Sequence, residues 1–407
     1  MVLNMNKKFL KGCAAGAGIL LVIQLLTFAI VSVATGGIGM YTGAKYSAMG
    51  SSTSSTMSKM NQLKYYIDEY FMEDVTEEQI ADGIYKGMLE GLNDPYSCYY
   101  TKDEYASLME DSSGVYCGIG ATVTQDTQTG VIYIVSPFEG GAAKEAGIVT
   151  GDIVEEVDGK DVTGKDLNEV VSMMKGKEGT KVKVEFYISK TKKHKTFELE
   201  RRQIEVPTVE YKMDGKIGYI AISAFDAPTD EQFIEAVKKL EEKGMEGLII
   251  DLRNNGGGML ESVVNMLDYM LPKGSTIVST KDKNGKGDVY TAKTETTFDL
   301  PLAVLINGNT ASASEVFSGA IKDYEMGELV GTTSFGKGIV QSVIPLKDGT
   351  AIKITTSKYY TPSGKNIHGT GIDPDVKVEL DTDGKSDNQY KEAMRLVKAQ
   401  VKKAKEK

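Results

Sequence analysis

Three segments rich in glycine or small residues carry the side chains that could do chemistry. The first is Asn307-Gly-Asn-Thr-Ala-Ser-Ala-Ser-Glu315. It follows an apolar run and opens a helical pattern. Thr310 to Ser314 are all small, which lets another backbone come close. A serine in the first turn of such a helix stands at a sharp corner, near the positive end of the helix dipole. That placement suits a nucleophile. It equally suits a plain N-cap, with Thr310, Ser312 or Ser314 capping and Glu315 closing a capping box. The second segment is Ser334-Phe-Gly-Lys-Gly-Ile-Val-Gln341. Its glycines permit sharp local geometry around Lys337. A lysine in an apolar site loses the advantage of its charged form, so its pKa falls and the neutral amine can take a proton from a serine hydroxyl. If the chain is extended there, Ile339 and Gln341 share the face of Lys337; the plainer reading is a surface lysine in a hairpin turn. The third segment is Asp251-Leu-Arg-Asn-Asn-Gly-Gly-Gly258. Its glycines can aim backbone N–H groups at one point, as an oxyanion hole does. A permissive or anion-binding loop would look the same.

Taken together, the segments fill the roles of an acyl-transfer site: nucleophile, base and oxyanion donors. The usual base is scarce, since the chain has 2 histidines among 407 residues. His194, in Lys-Lys-His-Lys, reads as part of a solvated turn, and His368 sits near a predicted strand end. The chemistry is therefore expected to proceed without histidine as base or metal ligand, and no cofactor or metal is implied. A net charge of −10 leaves no basic field for nucleic acid. Of the 3 cysteines, Cys13 falls in an apolar segment. Cys98 and Cys117 show no metal spacing; they are either a disulfide on an oxidising side or two small, partly buried thiols.

The elements that must position these residues alternate in kind. Helical periodicity runs through residues 57–111 and breaks at Asn93-Asp94-Pro95. Residues 114–202 carry short β runs between glycine turns, with one helix predicted from Asp166 to Lys175. From Pro207 onward strands and helices alternate. Strands are predicted at Ile217–Ile222, Gly247–Leu252 and Leu302–Ile306, each followed by a helix, the last opening at Ser312. Near-continuous apolar strands of this type are covered on both faces. Further β runs follow at Leu329–Gly331, Ile339–Ile344 and Ala351–Tyr360, then a helix over Asn388–Lys405.

The N-terminus bears on compartment. No charged residue occurs from Gly12 to Ala44, and Lys7, Lys8 and Lys11 precede that stretch. The run reaches the ~20 residues a membrane helix needs, and the lysines place the N-terminus on the cytoplasmic side. The alternative is a cleaved signal peptide, but the run is longer than a usual signal core and no small-residue cleavage site follows at once. The Ser/Thr-rich stretch after it reads as a flexible spacer.

The three segments, in this order, resemble the signature motifs of the carboxy-terminal processing peptidases, also called tail-specific proteases. The resemblance extends from about residue 60 to residue 380. It implies Ser312 rather than Ser314 as nucleophile, Lys337 as base, and Gln341 as the residue orienting that lysine. Ser312 and Lys337 lie 25 positions apart, in keeping with the family. The implied oxyanion donors are the N–H groups of Gly258 and Ala313. Residues 114–202 resemble a PDZ domain, with Tyr116, Cys117, Gly118, Ile119 and Gly120 where the peptide-carboxylate loop belongs, and Gly141–Asp152 matching its helix–turn–strand signature. Such a module holds a chain end by strand addition and, by resemblance, also gates the protease.

The resemblance further implies dimer contacts through the terminal helical regions, hence a homodimer. Its expected substrates are proteins or peptides with exposed C-terminal tails. The expected fold is α/β and α+β multidomain, with a β–α alternating, crotonase/ClpP-like protease core. The expected organisation is a cytoplasmic N-terminus (1–11), a transmembrane anchor (12–40), a flexible spacer (41–58), a helical subdomain (59–111), a PDZ domain (112–202), the protease core (203–380) and a helical tail (381–407). The enzyme is then placed in the cell membrane as a single-pass protein, its protease domain on the extracytoplasmic side. Two other readings compete: a tail-binding protein that has lost catalysis, and another acyl-transfer enzyme on a similar fold. Intact Ser312, Lys337 and Gln341 argue against the first, and the lack of a cofactor-recognition motif against the second.

Overall fold

The computed structural model describes residues 50–381 and 386–406. The predicted anchor over 12–40 and Cys13 lie outside the described residues. Among the described residues no helix is long and apolar enough to cross a membrane.

The chain divides at Gly83–Ile84. Before that point, helix α1 spans Gly50–Tyr70 and is followed by the start of α2, Glu77–Glu90. The Thr76 and Gln79 side chains cap α2 reciprocally: Thr76 N–H donates to Gln79 Oε1 (2.8 Å) and Gln79 N–H to Thr76 Oγ1 (3.1 Å). A Lys64–Glu77 ion pair (2.8 Å) joins the two helices. The expected spacer is corrected here, because residues 50–58 are helical. Serine and threonine cost a few tenths of a kcal/mol each in a helix, about half the penalty of glycine. No Gly or Pro interrupts the run from Ser51 to Tyr70 to end it.

After Ile84 come β1 (Cys98–Tyr100) and α3 (Lys102–Ser113), then a β module. Its elements are β2 (Val115–Gly118), β3 (Ala121–Gln125), β4 (Ile132–Pro137), α4 (Ala142–Glu145), β5 (Ile153–Val157), β6 (Lys160–Asp161), α5 (Leu167–Met174), β7 (Lys181–Ile188), β8 (Lys193–Glu200) and β9 (Arg202–Glu205). The main sheet runs β3-β4-β5-β7-β8, so β3 is an edge strand. Ile132, Ile134, Val154, Val182, Val184 and Phe186 fill the module's own core at period two. His194 is corrected as well: it sits in β8, paired across from Tyr187, not in a turn. The turn comes earlier, at Ser189–Lys192.

The remaining chain builds two sheets. Its elements are β10 (Val209–Asp214), β11 (Ile217–Ile222), α6 (Thr229–Glu242), β12 (Gly247–Asp251), α7 (Leu260–Met270), β13 (Thr276–Asp282), β14 (Val289–Thr291), β15 (Leu302–Ile306), α8 (Ala313–Asp323), β16 (Glu328–Gly331), β17 (Ile339–Pro345), β18 (Ala351–Tyr360), β19 (Val376–Lys377) and α9 (Asn388–Lys405). One sheet runs β10-β11-β12-β15-β16-β19, parallel from β11 onward. Every residue of β12 and β15 is buried. One sheet face packs on α6, α7 and α8, through Phe233, Leu267 and Phe317 among others. The other face packs on Ala393, Met394 and Val397 of α9. Two-sided burial is why these strands read as unbroken apolar runs. In the second sheet, β18 pairs with β1, β13 and β17, all antiparallel.

Arg253 ties α9 to the parallel sheet. Its guanidinium contacts Asp251 at the end of β12 (2.6 Å) and Asp387 at the N-cap of α9 (2.7 Å).

Candidate active site

Adjacent parallel strands β12 and β15 end side by side, so the loops after them are neighbours, which is where open α/β sheets bind ligands. The first loop is the Asp251–Gly258 segment and the second holds Asn307–Ser312. Buried Asn255 stitches them together: its carbonyl accepts the Ala311 N–H and the Ser314 hydroxyl (3.0 Å each), while its side chain holds Ile222 O and the Gly257 N–H. The approach requires glycine at 257. Its φ is +100°, and a Cβ there would stand 2.8 Å from Ser312 Cβ and 2.9 Å from Ala313 N.

Ser312 and Ser314 have different fates. Ser314 is fully buried and its hydroxyl is committed to Asn255. Ser312 is the N-cap of α8 and faces a cleft of about 400 Å³. Its backbone, at φ 56° and ψ −116°, lies in a region that non-glycine residues rarely occupy. Such strain costs ~1–3 kcal/mol and persists only where the surroundings impose it. The Tyr359 hydroxyl on β18 donates to Ser312 O (3.2 Å), and the Ser312 N–H donates to Glu315 Oε2 (2.9 Å).

The same cleft is lined by Gly258, Ala313, Lys337, Gln341, Lys353 and Tyr359. Among the described residues, neither the Gly258 N–H nor the Ala313 N–H donates to another group of the chain. Both are therefore free to receive a developing negative charge. Apolar wall comes from Leu108, Phe225, Met259, Val316 and Ile339. Lys337 is half-buried. Burial first, and then the ammonium of Lys353, pull its amine below the ordinary lysine value, while Asp94 and Glu315 pull the other way. Burial, with the charge of Glu315, holds the Tyr359 phenol well above its usual range.

Lys337 and Gln341 do not interact as the extended-strand reading expects. Lys337 precedes β17 rather than lying in it, and the β17–β18 register shifts between Val340 and Gln341. A bulge breaks the period of two on which a shared face depends. Gln341 Nε2 donates to Thr355 Oγ1 instead (3.2 Å). Among the described residues no hydrogen bond joins Lys337 Nζ to Ser312 Oγ or to Gln341. The ammonium lies 4.7 Å from the ring centroid of Tyr96.

The loop carrying Tyr96 is fastened by Ser97, whose hydroxyl donates to Asp94 Oδ2 (2.6 Å) and accepts the Thr355 N–H (3.1 Å). Sequence reasoning passed over Tyr96, Lys353 and Tyr359 and saw Asn93-Asp94-Pro95 only as a helix breaker. No local pattern links Tyr96 to Lys337, some 240 positions later, or the β18 side chains to Ser312 and Lys337. Glu315 was visible as a cap, but its burial was not.

In the β module, Tyr116, Gly118 and Ile119 line a pocket of about 270 Å³ with Val123, Val171 and Met174. It lies beside edge strand β3 and helix α5, the arrangement that strand addition needs. The Cys117, Ile119 and Gly120 carbonyls are engaged by Gly176, Ala143 and Phe138. Among the described residues, the Ile119 and Gly120 N–H groups donate to nothing in the chain. Burial pushes the Tyr116 phenol up to about 12. Cys117 and Gly120 contribute backbone rather than pocket wall. Cys98 and Cys117 are separate thiols, each partly buried.

Residues 216–378 match the model of peptidase family S41, residues 133–188 that of the PDZ domain, and residues 27–104 that of the activating protease CtpB N-terminal domain. A "probable CtpA-like serine protease" of Staphylococcus aureus (strain COL) is 34% identical over 359 residues, covering 88% of this chain and 72% of that protein. Its namesake in Staphylococcus haemolyticus (strain JCSC1435) is 36% identical over 362 residues, covering 88% and 71%. Among solved structures, the photosystem II D1 C-terminal processing protease aligns at 30% identity over 78% of this chain and 85% of that one, with a TM-score of 0.46.

Proposed function

Because this chain belongs to peptidase family S41 and is a serine-type C-terminal processing protease with a PDZ domain, we propose that it cleaves proteins by a Ser312–Lys337 dyad after its PDZ module has captured their C-terminal tails. The observation that carries the reading is the shared cleft, where Ser312, Lys337 and the uncommitted Gly258 and Ala313 N–H groups converge. Neutral Lys337 takes the Ser312 hydroxyl proton as Oγ bonds to the scissile carbonyl carbon. The Gly258 and Ala313 N–H groups hold the resulting oxyanion. Collapse breaks the C–N bond, the Lys337 ammonium protonates the leaving amine, and an acyl-enzyme remains. Water, deprotonated by the same lysine, then releases the acid and restores Ser312.

Tail capture is supported by the apolar groove beside β3 and by the free Ile119 and Gly120 N–H groups, which suit a terminal carboxylate. A homodimer is supported by the apolar side chains Leu63, Tyr66 and Ile67 exposed on α1. A single membrane anchor over residues 12–40, with the protease on the extracytoplasmic side, is supported by the uncharged run and the lysines before it.

The test is cleavage of an unfolded reporter ending in an apolar tail. Ser312→Ala and Lys337→Ala should each abolish cleavage while remaining folded. Activity surviving Lys337→Ala would sink the dyad, and a cut that requires added metal would sink the metal-free mechanism.

A further inference from the structure

Glu315 is fully buried, and among the described residues no lysine or arginine pairs with it. A buried carboxylate with no cation in direct contact is costly unless donors saturate it. Four donors do so. Oε1 accepts the Ser334 hydroxyl (2.5 Å) and the Gly336 N–H (2.7 Å). Oε2 accepts the Ser312 N–H (2.9 Å) and the Lys337 N–H (2.8 Å).

Of the Glu side chain, a capping box needs only the first-turn bond from the N-cap N–H. The other three donors come from the lysine segment, 19 to 22 positions later. One oxygen thus holds the backbones of both dyad residues at once. The chemistry also demands a carboxylate. All four partners are donors, and each oxygen serves two of them. An amide would turn its NH₂ toward two donors, whichever way it flipped.

We propose that Glu315 is a positioning residue for the reaction, a single carboxylate that holds the nucleophile turn and the lysine loop in one register. The proposal rests on the Ser312–Lys337 reading. It accounts for two features at once: the strained φ of Ser312 is held from one side by Glu315 and from the other by Tyr359, and the lysine loop keeps its place although it belongs to no strand. The negative charge also bears on Lys337, whose protonated form it favours.

The experiment uses the full chain and the tailed reporter, with kcat and KM followed across pH and binding of an apolar tail peptide measured separately. Glu315→Gln should lower kcat about 100-fold, the cost of a misplaced catalytic group. KM and tail-peptide affinity should stay unchanged. The rising limb of the pH–rate profile should move to lower pH, because the charge that favoured protonated Lys337 is gone. A purely structural glutamate would lower the folded fraction without lowering the plateau kcat of the folded enzyme. Wild-type kcat, or a loss of kcat with an unmoved limb, overturns the proposal.

Should E315Q fail to fold, Ser334→Ala decides. It removes one charge-assisted bond and should cost about tenfold in kcat; unaltered kcat overturns the proposal. Ser312→Ala and Lys337→Ala run alongside. If either remains active, the dyad itself is wrong. If both are dead while E315Q and S334A match wild type, the dyad stands and only the role of Glu315 falls.

Discussion

The Lys337 ammonium lies 4.7 Å from the centre of the Tyr96 ring, while no hydrogen bond connects it to Ser312 Oγ among the described residues. The aromatic face stabilises the charged amine, whereas the proposed chemistry needs the neutral amine beside the serine. The Tyr96 contact therefore competes with the arrangement that the proposed chemistry needs. Replacing the tyrosine by leucine removes a contact worth about 0.5–1 kcal/mol, a two- to fivefold effect. Tyr96→Leu is expected to raise kcat by that factor on a saturating tailed substrate. A fall in kcat in steady-state assays would show that the ring places the lysine productively instead.

Lys353 shares the cleft and lowers the pKa of Lys337 through its charge. The rate should rise with pH as Lys337 loses its proton. Lys353→Met removes the repelling charge, so Lys337 holds its proton to higher pH. The rising limb of the kcat profile is expected to shift to higher pH, the opposite direction to Glu315→Gln. Profiles that shift together would contradict this electrostatic assignment.

Gly257 packs against the Ser312 turn at φ +100°, with no room for a side chain. Gly257→Ala must move either the Asp251–Gly258 loop or Ser312. Displacement at this scale costs about 100-fold in kcat. Tail-peptide binding, measured by fluorescence anisotropy, should be untouched, because the PDZ module has its own core.

Val171 and Met174 of α5 form one wall of the β3 groove. Val171→Glu puts a charge where an apolar tail is expected to lie. At ~2 kcal/mol for a buried unpaired polar group, tail affinity should drop about 30-fold. KM for a tailed substrate should rise with it, and hydrolysis of a short tailless peptide should keep its kcat. Equal losses on both substrates would show that the groove does not select tails.

Much of this arrangement was legible in the chain itself. Strands Ile217–Ile222 and Leu302–Ile306 and the helix Asn388–Lys405 stand where their periodicity predicts, because two-sided burial and amphipathic burial are written locally, one side chain at a time. Ser312, Lys337 and the glycines before Met259 were recognisable by type and order. Their surroundings were not. A bulge between Val340 and Gln341 decides which way Gln341 points, and a one-residue shift leaves no trace in composition. The groups that act on Lys337 come from the loop carrying Tyr96 and from Lys353 of β18, brought together only when β1 pairs with β18. Glu315 looked like half of a cap, because four residues carry that signature, whereas the three further donors on its carboxylate arrive from a segment some 20 positions away. Local pattern encodes which face of an element is buried; which distant backbone then donates to that buried carboxylate is set by packing of the whole core.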